Sequence, residues 1–186
     1  MRKVIMFNMI SPDGYFEGPD RDINWHQVDE EFNDFALEQL SSADGLVFGR
    51  ITYQLMASFW PTPAGLEGEP ATASWMNSLP KYVFSKTLEK VGWNNTQLIS
   101  GEAVEMLKKL KQETGKDLFI FGSADLAATF TKHSLIDEYR LMVNPVVLGA
   151  GVPMFKDTEE MLKLKLLHMK VFRNGNVLLS YQPSDQ

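Results

Sequence analysis

The chain has 186 residues, of which 44% are hydrophobic and 23% charged, an ordinary globular composition far from that of a disordered chain. Its formal net charge of −6 argues against a nucleic-acid-binding surface, because neutralising phosphates takes clustered Lys and Arg. Cysteine is absent, which removes disulfides, thiolate nucleophiles and Cys-ligated zinc.

The length predicts one domain over residues 1–186. Met1 to Ile10 is too short for a signal peptide and runs at once into Asp13-Gly14. No apolar stretch approaches a membrane span, so the expected compartment is the cytoplasm. Val4 to Ile10 reads as a buried first strand ending in the turn sequence Ser11-Pro12-Asp13-Gly14. After a loop rich in Gly, Pro and Asp, the residues Val28, Phe32, Phe35, Ala36 and Leu40 fall on one helical face. Asp29, Glu30 and Glu31 occupy the first turns of that helix, where the macrodipole favours carboxylates. Gly45 to Gly49 is a short buried strand, and Met56 to Ser78 reads as helical pieces with a long loop.

Lys81 to Ser85 and Gln97 to Ser100 are further strands. A helix follows with Val104, Leu107 and Leu110 on one face, and Gly115 is placed to stop it. Leu118 to Gly122 is the clearest buried strand, leading into a helix through Leu126, Ala127 and Phe130. Strand–helix alternation to this point predicts βαβ units and a parallel sheet. Asp137 to Leu148 is a β-rich run interrupted by Asn144-Pro145. Leu164 to Phe172 and Val177 to Tyr181 flank Asn174-Gly175, a strong hairpin signal.

Several strand ends carry residues suited to a ligand. Gly49 lets a ligand approach the backbone at a helix start, with Arg50 and Thr52 as cation and hydroxyl donor for a phosphate. A tight turn with a solvated Arg reads equally well. Gly122, Ser123, Ala124 and Leu126 repeat the arrangement, suited to a pyrophosphate on helix amides or to close strand–helix packing. Ser85 and Lys86 suit a ribose 2′-phosphate, which favours NADPH over NADH, or are solvated turn residues. Gly149 and Gly151 admit either a ligand or a structural turn. Glu31 beside Phe32 and Phe35 suits a flat heterocycle held by aromatics, with an acid whose pKa burial raises for proton delivery. The same pattern suits an amphipathic helix with core Phe and solvated acids. Asp13 is the second candidate carboxylate. His26, His133 and His168 have no metal-ligand spacing, and no metal is expected.

Taken in order, these residues resemble the dihydrofolate reductase superfamily, and particularly the reductase (RibD C-terminal-like) domain of riboflavin-biosynthesis enzymes. Ser11-Pro12-Asp13-Gly14 is similar to the family's post-strand turn, and Gly49-Arg50-Ile51-Thr52-Tyr53 to its cofactor motif. Ser85-Lys86 and Gly122-Ser123 fall where the 2′-phosphate and pyrophosphate contacts are expected. Ile136-Asp137-Glu138-Tyr139 with Asn144 to Gly151 resembles the riboflavin-type signature. The resemblance implies a three-layer α/β fold: a central, mostly parallel mixed sheet ending in an antiparallel hairpin, with helices on both faces. It implies an NADPH-dependent reductase of a small heterocycle, with 5-amino-6-(5-phosphoribosylamino)uracil as first candidate. Dihydrofolate or another pterin, and a catalytically silent dinucleotide-binding module, are the alternatives. Gly122-Ser123 replaces the Gly-Gly of dihydrofolate reductases, and Tyr15 stands where the riboflavin-pathway enzymes carry a basic residue. Trp25 with Glu31-Phe32-Asn33-Asp34-Phe35 is similar to the pterin-binding helix of vertebrate-type dihydrofolate reductases, where the Glu binds the pterin. A homodimer is expected from the resemblance and from the aromatic content at Phe59-Trp60 and Trp75-Met76.

Overall fold

The computed structural model describes residues 1–158 and 160–184. Val4–Ile10 forms β1, and all seven of its residues are buried, as a strand covered on both faces requires. The chain continues through β2 (Tyr15–Glu17), α1 (Glu30–Ser41), β3 (Ala43–Gly49), α2 (Arg50–Ala57), α3 (Pro63–Gly68), α4 (Pro70–Ser78), β4 (Lys81–Phe84) and β5 (Thr96–Ile99). It then forms α5 (Ala103–Gln112), β6 (Asp117–Phe121), α6 (Ala124–Lys132), β7 (Glu138–Val143), β8 (Val152–Pro153), β9 (Leu164–Val171) and β10 (Val177–Pro183).

Eight strands make one sheet in the order β5-β4-β3-β6-β1-β7-β10-β9. Neighbours from β5 to β7 pair in parallel. β10 pairs antiparallel with both β7 and β9. The hairpin turn lies at Asn174-Gly175, with Gly175 at φ +92°, a conformation glycine adopts without a Cβ penalty. One face of the sheet packs Leu107 and Leu110 of α5 and Leu126, Ala127 and Phe130 of α6 against Val4, Met6 and Ile120. The other packs Leu40 of α1, Tyr53 of α2 and Met76 of α4 against Ile5, Leu46 and Phe48. Helices therefore cover both faces, as the resemblance implies.

β1 sits between β6 and β7. The chain leaves β1 through α1 toward β3, and leaves β6 through α6 toward β7, so the connections diverge in opposite directions on opposite faces. Such a reversal opens a crevice at the C-terminal ends of the strands.

Some elements differ from their sequence reading. α1 starts at Glu30, because Asp29 is its N-cap and accepts a hydrogen bond from Phe32 N at 2.9 Å. Val28 therefore precedes the helix and is 54% exposed. The pair β2–β8 is too short for an alternation pattern to show it. Within 56–78 the helical pieces are the end of α2, then α3 and α4, the last two each begun by a proline, which presets φ for a first helical residue. Phe59 and Trp75 are exposed, but Met76 is buried in the core.

Two lysines lie inside. The Lys81 ammonium donates to the carbonyls of Met76, Asn77 and Leu79; burial nevertheless pushes its pKa down to about 8. Lys111 donates to the Leu135 carbonyl and to Asp137.

Candidate functional site

Three parallel strands end side by side in a cleft of about 420 Å³. Gly49 ends β3 and Arg50 follows it, Ser85 and Lys86 follow β4, and Ser123 and Leu126 open α6; all six line the cleft. They come from three segments far apart in sequence, and the parallel sheet aligns their strand ends.

Glycine at 49 has a geometric cause. A Cβ there would lie 2.2 Å from Ser123 Oγ and 2.8 Å from Ser123 Cβ, so only glycine lets the α6 entrance close against the β3 exit. Gly122 (φ +65°) and Ser123 (φ +64°) are both left-handed, and Ser123 Oγ caps α6 by accepting from Leu126 N at 3.4 Å. The first amides of a helix have no intrahelical acceptors and attract anions.

The cations of the cleft are exposed. Arg50 is exposed, its Nη1 3.4 Å from Gln54 Oε1. Lys86 Nζ is 3.6 Å from Glu102 Oε1, with both side chains largely exposed. Asp125, in the first turn of α6, also lines the cleft, where its charge opposes an anion; Lys156 pairs with it.

Three of the expected cofactor residues do not line the cleft. Thr52 is 7% exposed and packs beneath the Gly122 turn: a Cβ on Gly122 would be 2.8 Å from Thr52 Oγ1. Its side chain therefore packs against the turn. Gly122 forms the turn itself, and Ala124 is buried.

The candidate carboxylates stand elsewhere. Asp13 accepts from Leu148 N (3.3 Å) and Gly149 N (2.8 Å). The Ser11 hydroxyl and then the Gly149 amide hold its carboxyl below the usual range. Asp13 thus ties the turn after β1 to the 148–149 loop. Gly151 (φ +145°) lies against β2, where a Cβ would sit 2.1 Å from Glu17 O, so backbone and not open space surrounds it.

Glu31 corrects the expected proton donor. Its Oε2 accepts from Arg173 N at 2.9 Å, and Lys170 and Arg173 stand 3.6 and 3.5 Å away. The Arg173 amide, more than the two cations, lowers its pKa, opposite to the rise that burial would give. α1 turns this acid toward the β9–β10 hairpin and keeps it ionised. Glu31→Gln is therefore expected to change turnover by less than about tenfold, below the 10²–10⁴-fold of general acid catalysis; steady-state kinetics on the variant check this.

Phe35 is buried, 5.8 Å from Phe7 and 5.6 Å from Phe172 between ring centroids. Phe32 is half-buried, 6.5 Å from both Phe7 and Phe35. With Phe121, 6.0 Å from Phe7, they form an aromatic core cluster under α1, in which Phe7 and Phe35 are buried and Phe32 and Phe121 pack against them.

A model of the RibD C-terminal domain matches residues 2–178. The chain belongs to the RibD C-terminal domain family. Protein YyaP of Bacillus subtilis is 32% identical over 182 residues, covering 97% of this chain and 94% of that protein. A putative riboflavin biosynthesis protein from Shewanella sp. PV-4 superimposes with a TM-score of 0.77 at 25% identity, covering 98% of this chain and 99% of that one. Dihydrofolate reductase from Enterococcus faecalis, in complex with NADP(H), superimposes with a TM-score of 0.66 at 12% identity, covering 98% and 97%. The fold of this family member is thus dihydrofolate-reductase-like.

Sequence reasoning missed several residues. Gly101, past the end of β5, and Asp125 and Thr129 of α6 line the cleft. The short strand at 97–100 signalled a fourth strand end, whose exit loop is Gly101. Among the described residues no group of acids and histidines is arranged to hold a metal ion. No helix among the described residues is long and apolar enough to cross a membrane.

Proposed function

We propose that this family member is an NADPH-dependent reductase of a small heterocyclic substrate. The observation that carries the reading is the convergence of Gly49, Arg50, Ser85, Lys86 and Ser123 on one cleft at the ends of β3, β4 and β6. The residues fit the cofactor: the left-handed turn at Gly122-Ser123 opens α6 beside the cleft, and the first amides of a helix attract an anion such as a pyrophosphate. Arg50 and Lys86 supply cations for a 2′-phosphate.

When bound, NADPH supplies a hydride from C4 of its nicotinamide. The chain's own share is alignment and exclusion of water. The half-buried rings of Phe32 and Phe121, backed by the buried Phe7 and Phe35, offer apolar surface to a flat substrate. A pyrimidinone such as 5-amino-6-(5-phosphoribosylamino)uracil is the first candidate, supported by family membership and by the likeness to the Shewanella protein. A pterin is disfavoured by Glu31, whose carboxylate the hairpin already engages.

NADPH is expected to bind at least about tenfold more tightly than NADH, since one charge-assisted contact suffices for that ratio. Calorimetric titration with both cofactors measures it, and equal binding sinks the reading. Loss of NADPH absorbance against pyrimidinones, pterins and simple carbonyls then separates a reductase from a silent dinucleotide-binding module.

A further inference from the structure

Asn8 lies in β1, 3% exposed, in a strand otherwise made of apolar residues. The parallel pairing of β1 with β6 ends at Phe7↔Phe121. Gly122, the next residue of β6's chain, leaves the ladder in a left-handed conformation. Its N–H donates instead to Asn8 Oδ1 at 2.9 Å. A backbone N–H can only donate, so the amide orientation of Asn8 is fixed by this bond. Its Nδ2 is then left buried, with no acceptor among the described residues.

An amide that leaves its own donor unpaired is a poor core residue, and leucine would fill a similar volume without that loss. The benefit lies in Oδ1. It closes the seam between β1 and β6 where backbone pairing stops, at the reversal point of the sheet, and holds the turn that leads into α6. That turn carries Ser123, which meets Gly49 and caps Leu126. Asn8 itself is not among the residues lining the cleft, so it acts through Gly122.

We propose that Asn8 is a positioning residue for the dinucleotide: its side-chain oxygen sets the Gly122-Ser123 turn in the shape that receives the pyrophosphate. This rests on the function proposed above. Two variants separate the roles. Asn8→Leu keeps the bulk and removes the acceptor; Asn8→Asp keeps an acceptor and removes the Nδ2 donor.

In Asn8→Leu the Gly122 amide is expected to exchange with solvent about tenfold faster, as one lost hydrogen bond allows. The KM for NADPH is expected to rise by about the same factor with kcat within about twofold, because only cofactor seating is disturbed. Asn8→Asp is expected to restore both the amide protection and the KM. A leucine variant with wild-type Gly122 exchange, or with wild-type KM for NADPH, overturns the proposal. So does an aspartate variant that folds and loses as much as leucine. If the wild-type chain binds no dinucleotide, the functional reading fails separately, and Gly122 exchange, which needs no ligand, still decides whether Asn8 holds the turn.

Discussion

Replacing Arg50 and Lys86 together by alanine is expected to weaken NADPH binding by more than about a hundredfold and to leave NADH binding nearly unchanged. Each contact between a fixed cation and the 2′-phosphate contributes about 1.5–3 kcal/mol, or about ten- to hundredfold in affinity. Both side chains are exposed and weakly engaged. Arg50 reaches Gln54, at 3.4 Å, and Lys86 reaches Glu102, at 3.6 Å. Neither is part of a core cluster, so the melting temperature is expected to stay within about 2 °C, since exposed pairs contribute about 0–1 kcal/mol. The single variants are expected to differ. Lys86→Ala also leaves the Glu102 carboxylate unpaired beside the cleft, adding repulsion for a phosphate to the lost attraction. Raising the salt concentration weakens NADPH binding in the wild type and has less effect in the double variant, because the contacts are screened. Calorimetric titration with both cofactors measures all of this. A double variant that retains its preference for NADPH removes these residues from the 2′-phosphate site.

The fold was largely legible because its signals are local and redundant. Runs such as Leu118–Phe121 and Val4–Ile10 bury on both faces, and Asn174-Gly175 specifies a hairpin. The cleft was legible for a related reason: in a parallel sheet the exits of β3, β4 and β6 fall on one edge, so reading each exit finds several of the residues that line it. What failed was direction. Glu31 was placed on the right helix, but its partner Arg173 lies on a hairpin 142 residues away in sequence. Thr52 belongs to a motif that spacing locates, yet its burial against Gly122 depends on how the turn before α6 packs on α2. Asn8 left no signal at all, since a lone polar residue in an apolar strand announces burial but not its partner. The start of α1 was misplaced because Val28 fits the apolar period, while the cap at Asp29 begins the helix at Glu30.

Asp137 belongs to the Ile136-Asp137-Glu138 signature, and its contacts assign it to the fold. Its Oδ2 accepts from Val4 N at 2.7 Å and from Lys111 Nζ at 2.6 Å, while its own N–H donates to Val4 O at 2.9 Å. Lys111 Nζ also donates to Leu135 O at 2.9 Å. One carboxylate thus joins the end of α5, the start of β1 and the entrance to β7. The Lys111 side chain is 9% exposed and that of Asp137 36%. Asp137→Ala is therefore expected to cost about 3 kcal/mol, the lower end of the range for stranding a buried charge, because the carboxylate is partly solvated. For a chain of this size that lowers the melting temperature by about 6–12 °C. Removing the stranded charge as well, in Lys111→Met/Asp137→Ala, is expected to recover part of the loss, since an uncharged pair needs no solvation. NADPH affinity, measured well below the melting temperature, is expected to stay at the wild-type value in both variants, because the cleft lies at the opposite, C-terminal ends of the strands. Urea unfolding and calorimetric titration test the two halves. A single variant that loses less than about 1 kcal/mol, or a double variant less stable than the single, would show that the ion pair is a surface contact of ordinary strength.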